Sequence, residues 1–96
     1  MLYTPFNSLD IDAQRELVRK ALTIIFSSTR GNMKMVRPLH VARVMAIYPH
    51  PAFLSVIKHI LLEDMREVNV DGHRWRLVEI RKTSKGYKFL YRKVMQ

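Results

Sequence analysis

The chain has 96 residues, 48% of them hydrophobic, which is enough for one domain with a small core. Its 17 lysines and arginines outnumber 8 aspartates and glutamates, and the formal charge of +9 favours a polyanionic partner, most often nucleic acid and less often an anionic membrane surface. The lack of cysteine excludes disulfides and thiolate metal sites, and no run of residues is apolar for long enough to span a membrane. We recognise no signal peptide in the first residues, and we expect an intracellular protein.

The first third of the chain predicts an arm followed by an amphipathic helix. Proline, asparagine and serine discourage regular structure in residues 1–8, so we expect an extended N-terminal arm there, with Phe6 packed against the next element. Residues 9–96 then form a single domain. Apolar residues recur at helical spacing over residues 9–27, and a serine and an aspartate near the start of this segment are suited to cap the helix.

The middle of the chain predicts two short helices that meet at a corner. Residues 33–36 are expected to form a short strand that pairs with a later hairpin. A helix over residues 38–48 starts at a proline, which is tolerated at the first helical position. The corner Pro49-His50-Pro51 stops this helix and leads into another over residues 52–65. One side of that second helix is apolar, and the side expected to face away from the core carries Ser55, Lys58, His59 and Leu62.

The last third of the chain changes to the alternating pattern of strands. Asp71-Gly72 is a strong hairpin signal, because both central residues of the favoured two-residue turn need a positive φ. The strand over residues 73–82 contains Trp75, which we expect in the core. Its apolar register shifts between Leu77 and Val78, so we predict a bulge there.

A second turn and a last strand complete the chain. Residues 83–86 form the turn, which we expect to be flexible, and residues 87–94 form the strand. One face of this strand carries an aromatic row, namely Tyr87, Phe89 and Tyr91. The row has two interpretations: it is the core side of a small sheet, which is the more common arrangement, or it is a platform on which RNA bases stack.

This order of elements resembles the winged helix-turn-helix family. The resemblance rests on the Pro49-His50-Pro51 corner, on helix 52–65 and on the hairpin 75–94 with its tip at residues 82–86, and it covers residues 9–94. The fold that it implies is α+β, with three helices followed by an antiparallel β-hairpin wing or small sheet. The chain departs from the family at the corner, because two prolines stand where the family usually has a glycine-containing turn. The angle at which helix 52–65 docks on DNA is therefore undefined.

The resemblance implies double-stranded DNA binding, with helix 52–65 in the major groove and the basic wing 81–88 on the backbone or the minor groove. It also implies a transcriptional regulator that acts as a homodimer, through the first helix or the termini. Small basic chains of this kind are similar to compact regulators of archaea and their viruses. The residues predicted to contact DNA are Arg37, His40, Arg43, His50, Ser55, Lys58, His59, Arg81, Lys82, Lys85 and Lys88.

The charge pattern supports this set of residues. No aspartate or glutamate occurs between Leu17 and Leu62, and the segment from Asp71 to the end of the chain has many more cations than acids. Lysines around a turn can approach phosphates closely and release counterions. Each of these features also has a plainer interpretation, because an exposed helix face is often only solvated and a lysine-rich edge protects a sheet from pairing with other chains.

Other classes of function are less consistent with the sequence. The four histidines lack the spacing of metal ligands, and no nucleophile–base set or glycine-rich phosphate loop can be recognised, so we expect no metal, no cofactor and no enzymatic activity. Three alternatives to DNA binding remain: a protein-interaction module that uses exposed Leu62, an RNA-binding protein, and a basic protein that is ribosome-associated or merely soluble.

Overall fold

The computed structural model describes residues 6–94. These residues form an α+β fold with three α-helices and one four-stranded antiparallel sheet, whose strand order is β1-β4-β3-β2. In chain order, the elements are a short 3-10 helix Phe6–Ser8, α1 Ile11–Ser27, β1 Met33–Val36, α2 Pro38–Val44, α3 Pro51–Glu63, β2 Glu67–Val70, β3 His73–Thr83 and β4 Gly86–Val94. Of the two predicted forms, a β-hairpin wing or a small sheet, the described part of the chain contains a sheet, with four strands.

The helices cover one face of the sheet, and the core lies between them and that face. The indole of Trp75 stacks on the ring of Phe26 from α1, with 4.5 Å between the ring centroids. The buried hydroxyl of Tyr91 donates a 2.7 Å hydrogen bond to the backbone oxygen of Met65, just beyond α3. The predicted core position of Trp75 is confirmed, because only 1% of its surface is exposed.

The predicted cap at the start of α1 is confirmed, whereas the prediction of an extended arm before it is not. The Asp10 side chain accepts a 2.8 Å hydrogen bond from the Ala13 N–H and caps the helix. Phe6 is buried, as expected, but it belongs to a 3-10 helix that is held by a hydrogen bond from Gln14 Nε2 to the Phe6 oxygen. The prediction of an extended arm is therefore wrong for residues 6–8, and residues 1–5 lie outside the described part.

The predicted helix 38–48 is too long, because α2 ends at Val44. Ala46 adopts a positive φ of 54°, the Ile47 N–H donates to the Ala42 oxygen at 2.8 Å, and the Ala46 N–H donates to the Arg43 oxygen at 3.2 Å. These two bonds form a Schellman cap, which usually has a glycine at the position that Ala46 occupies. The helix therefore stops before the proline that was expected to stop it.

The connection between α2 and α3 is consequently longer than the predicted tight corner. It comprises residues 45–50, and α3 then starts at Pro51 and ends at Glu63, with Asp64 as its C-cap. The predicted bounds of this helix, 52–65, are correct to within two residues at each end. Neither proline of the corner lies where a helix needs a backbone N–H, because Pro49 is in the connection and Pro51 is the first residue of α3.

The sheet confirms several local predictions. Asp71 and Gly72 have φ values of 53° and 80° and join β2 to β3, and β1 pairs with β4 as expected for residues 33–36. The register of β3 against β4 shifts between Leu77 and Glu79, where the bulge was predicted. In the described residues, no helix is long and apolar enough to cross a membrane.

Candidate nucleic-acid interface

A groove of about 340 Å³ lies where three separate elements converge: the start of α2, the first half of α3 and the turn between β3 and β4. We call it the basic groove. Its polar rim consists of Arg37, Ser55, Lys58 and Lys85. Its apolar lining consists of Pro38, Leu39, Pro51, Leu54 and Tyr87, with Gly86 beside the turn. The groove brings together four of the residues that were predicted to contact DNA.

Helical spacing places the α3 residues of the rim on one side of that helix. Ser55 and Lys58 are three residues apart, and Leu54 and Lys58 are four apart, so all three side chains point towards the groove. Ser55 is exposed, as predicted. Lys58 is half-buried instead of fully exposed, because its ammonium lies 4.7 Å from the centre of the Tyr87 ring. This cation–π contact keeps the charge at the rim and directs it towards the hairpin.

The tip of the β3–β4 hairpin is a braced two-residue turn. Thr83 and Gly86 form its closing pair, and Gly86 has a φ of 120°, which favours glycine. The Thr83 hydroxyl donates to the Gly86 oxygen at 2.9 Å and accepts from the Lys85 N–H at 3.3 Å. The turn that the sequence predicts as flexible is thus closed by hydrogen bonds, which hold the backbone of Lys85 beside the groove.

The basic groove has no acidic lining residue. Within residues 6–94, salt bridges with acids are made by Arg15, Arg19, Arg76 and Arg81. None of these salt bridges involves Arg37, Lys58 or Lys85. Since no neighbouring carboxylate neutralises these cations, their positive potentials add at the groove.

The two other predicted residues of the α3 region have different surroundings. His50 caps α3, because its Nδ1 accepts a 3.1 Å hydrogen bond from the Ala52 N–H, and its ring lies 5.4 Å from the Phe53 ring. His59 is exposed, as predicted, and lines a cavity of about 290 Å³ with Leu62. That cavity also includes Lys58 and Tyr87, so it continues the basic groove along α3.

His40 and Arg43 of α2 do not line the basic groove. Arg43 is exposed, whereas His40 is half-buried in another cavity, between α2, β1 and the end of α1. Burial lowers the pKa of His40, and the positive charges of Lys34 and Arg43 lower it further. His40 therefore favours its neutral form.

The predicted wing residues lie on two faces of the hairpin. Arg81 and Lys88 are cross-strand partners, as are Lys82 and Tyr87, and the alternation of strand residues puts these two pairs on opposite faces. Lys82 therefore shares the face of Tyr87, towards α3. Arg81 points away from it and forms a 3.0 Å salt bridge with Glu79.

The aromatic row takes the structural role that was favoured for it. Phe89 and Tyr91 are buried in the core, and Tyr87 is half-buried beneath the ammonium of Lys58. The row therefore offers no open stacking platform for bases.

The sequence analysis missed the apolar lining of the basic groove. It gave Leu39 and Leu54 no part in a binding surface. The signal in the sequence was the spacing of Leu54 and Lys58, which puts a leucine and a lysine on the same side of a helix. Within residues 6–94, no cluster of three or more histidine, aspartate or glutamate side chains is arranged to hold a metal ion.

Comparisons with protein-family models, with curated proteins and with solved structures find no match for this chain.

Proposed function

We propose that this chain is a double-stranded DNA-binding protein with a winged helix-turn-helix arrangement, and that it regulates transcription. The observation that carries the proposal is the basic groove, where cations from three elements meet without an acidic neighbour. A duplex presents dense negative charge, and a protein that neutralises its phosphates gains affinity through the release of counterions.

The order of the strands supports the winged arrangement. In this interpretation, the β3–β4 hairpin is the wing. Strand β1 pairs with β4 at one edge of the sheet, and β2 is an added strand at the other edge. The first half of α3 enters the major groove, while the turn at Lys85 contacts the backbone or a minor groove.

The charges along α3 determine which of its ends faces the DNA. Ser55 lies in the first half and Lys58 near the middle, both beside the wing, whereas Glu63 and Asp64 lie at the far end. The carboxylate of Glu63 at that end repels phosphates, so contact through the first half is favoured. Serine and lysine can both donate hydrogen bonds to base edges in the major groove, and Arg37 at the start of α2 is placed to bind phosphate.

The test is fluorescence anisotropy with labelled duplexes over a series of salt concentrations. We expect binding that weakens steeply with salt, with a logarithmic slope of about −0.9 for each phosphate contact. Unlabelled single-stranded DNA and RNA should compete less well than duplex DNA. No binding at low salt, a flat salt response or stronger competition by RNA would each refute the proposal.

Two single variants distinguish base contacts from backbone contacts. Lys58→Ala should change the preference among duplex sequences, because Lys58 lies on the proposed recognition helix. Lys85→Ala should weaken all duplexes by a similar factor, because the turn contacts the backbone. Lys20→Ala removes an exposed lysine outside the groove and serves as the control. If the first two variants have the same effect, the assigned roles are wrong.

We further propose that the protein acts as a homodimer, because a single small domain covers only one half-site. Sedimentation of the protein with a selected duplex should give two chains per DNA. A stoichiometry of one chain at saturation would refute dimeric action and leave DNA binding itself intact.

The apolar lining of the basic groove favours a second candidate, a protein-interaction module. Leu39, Leu54 and Tyr87 offer a surface for an apolar peptide side chain, which a DNA backbone does not need. This candidate predicts that Leu54→Ser abolishes binding to a partner whose affinity changes little with salt. For DNA binding, the same change should have a smaller effect than Lys85→Ala.

A further inference from the structure

A second cavity, of about 430 Å³, lies between the end of α1, strand β1 and helix α2. Its lining contains apolar side chains, among them Ile24, Met33 and Val44, and three basic ones, Arg30, Lys34 and His40. Its volume falls within the range of sites for small organic ligands. It shares none of its lining residues with the basic groove.

Two apolar side chains of this cavity are open to solvent. Ile24 is 54% exposed and Met33 is 45% exposed, although neither belongs to the basic groove. Ile24 is not among the buried residues of α1, whereas its neighbour Ile25 is. Covering these two side chains with an apolar body would remove their surface from water, which is favourable.

The basic residues of the cavity lack acidic partners. No aspartate or glutamate lines the cavity, and within residues 6–94 no salt bridge involves Arg30 or Lys34. The low pKa of His40, which results first from burial and then from the charges of Lys34 and Arg43, is consistent with a positive potential here. An anion would reduce this repulsion between cations.

The C-terminal end of α1 also borders the cavity, and free carbonyl groups there would offset its positive potential. Two of these carbonyl groups accept hydrogen bonds from side chains. The Ser28 hydroxyl donates to the Ile24 oxygen at 2.9 Å, and the Thr29 hydroxyl donates to the Ile25 oxygen at 2.7 Å. These carbonyl groups already accept hydrogen bonds, so less of the negative end of the helix dipole is presented to a ligand.

We propose that this cavity binds a small amphipathic carboxylate. Its apolar body lies against Ile24, Met33 and Val44, and its carboxylate lies between Arg30 and Lys34. A second copy of the chain fits less well, because it would bring an identical set of cations against the first. The site goes beyond the proposed DNA binding and does not depend on it.

The test is an NMR titration of the full chain without DNA, with three probes that separate the two parts of the ligand. Octanoate carries both an apolar chain and a carboxylate, 1-octanol has the chain without the charge, and acetate has the charge without the chain. We expect saturable binding of octanoate, with shifts at the backbone amides of Ile24, Met33 and His40. The other two probes should bind at least about tenfold more weakly. No saturable binding of octanoate, or equal binding of either control, would overturn the proposal.

Two pairs of variants test the location of the site. Ile24→Glu introduces a carboxylate into the lining, whereas Thr23→Glu introduces the same charge at the neighbouring exposed residue, which does not line the cavity. Lys34→Ala and Lys20→Ala remove one lysine inside and one outside the cavity. Thermal melts establish that each variant is folded.

We expect Ile24→Glu to abolish octanoate binding and Lys34→Ala to weaken it by about tenfold, as for the loss of one charge-assisted hydrogen bond. Thr23→Glu and Lys20→Ala should change the affinity by less than about threefold. If both members of either pair have the same effect, octanoate binds elsewhere and the proposal is wrong. The readout is free of DNA, so failure of the DNA-binding proposal would leave this result unaffected.

Discussion

Two regions of the molecule are rich in cations but differ in the position of the acids. The basic groove combines Arg37, Lys58 and Lys85 with no carboxylate in its lining. On the other region, which we call the paired edge, Arg15 of α1 pairs with Asp64 at the end of α3, and Arg76 of β3 pairs with Glu67 of β2, each at 3.1 Å. The cations of the basic groove therefore contribute to the net charge of +9, whereas the two arginines of the paired edge are balanced by two acids.

The comparison shows that total charge does not locate a binding surface. The eight acids of the chain are few enough that their placement determines which cations keep their potential. On the paired edge, acids also serve the fold, since Asp71 of the β2–β3 turn accepts a 2.9 Å hydrogen bond from the Ser27 hydroxyl. The lining of the basic groove contains no such acid.

The largest effect should come from the core that supports both regions. Trp75→Ala removes a buried indole that stacks on Phe26, and we expect it to lower the free energy of unfolding by about 3–5 kcal/mol. The control is Val78→Ala on the same strand, where the side chain is 44% exposed and we expect a change within about 0.5 kcal/mol. Urea denaturation measures both. Similar values would mean that Trp75 does not support the sheet.

A smaller effect should come from the contact that fixes α3 relative to β4. Tyr91→Phe leaves the buried oxygen of Met65 without its donor, and we expect a loss of about 1–3 kcal/mol. Tyr48→Phe, at a side chain that is 63% exposed, is the control and should have little effect. Equal stability of the two variants would show that the hydrogen bond from Tyr91 to Met65 does not stabilise the fold.

The same tyrosine gives the stability a dependence on alkaline pH. Burial raises the pKa of Tyr91 far above its ordinary value, so the folded chain keeps a proton that the unfolded chain loses above about pH 10. Its contribution to stability is complete below that pH and is lost as the pH rises further. The difference in unfolding free energy between wild type and Tyr91→Phe should therefore shrink above pH 10, as denaturation over a pH series would measure. A constant difference would contradict this.

A matched pair of double variants tests the difference between the basic groove and the paired edge most directly. Lys58→Ala with Lys85→Ala removes two cations from the basic groove, and we expect duplex affinity to fall by about 10- to 100-fold. Arg15→Ala with Arg76→Ala removes the same charge from the paired edge and should weaken binding by less than about threefold. Anisotropy at one salt concentration measures both. Equal losses would show that net charge alone determines affinity.

The smallest effect should come from breaking an ion pair of the paired edge. Arg15→Ala or Asp64→Ala removes a salt bridge whose side chains are 41% and 32% exposed, and we expect at most about 1 kcal/mol of destabilisation. Thermal denaturation at low and high salt measures it, and the loss should be smaller at high salt. A larger loss would mean that this pair holds α1 and α3 together.

The sequence predicted those elements whose signals are local. A hairpin at Asp71-Gly72, a bulge after Leu77 and a strand over residues 33–36 each depend on a few neighbouring residues, and all three are confirmed. The end of α2 was missed because its cap places an alanine, Ala46, where glycine is the usual signal. A positive φ is uncommon for alanine, so local propensity does not indicate a helix end there.

The candidate site was predictable only in part. Side-chain periodicity placed Ser55 and His59 on the exposed side of α3, which the structure confirms. It did not show that His50 caps that helix. It also did not show that Arg81 points away from α3 while Lys82 lies on the face of the hairpin towards α3. The His50 cap is a local hydrogen bond that helical periodicity does not describe. The orientation of Arg81 and Lys82 relative to α3 depends on how the hairpin packs against that helix, and periodicity along the chain does not contain this distance.

The sequence alone thus determined the elements, the buried face of the sheet and the excess of positive charge, because period, turn residues and composition are properties of the chain itself. Only the tertiary structure determined which cations meet. Lys58 and Lys85 are 27 positions apart in the sequence, and they line one groove because Tyr87, next to the turn, lies beneath the ammonium of Lys58. Electrostatic potential depends on distances in space, and folding sets those distances.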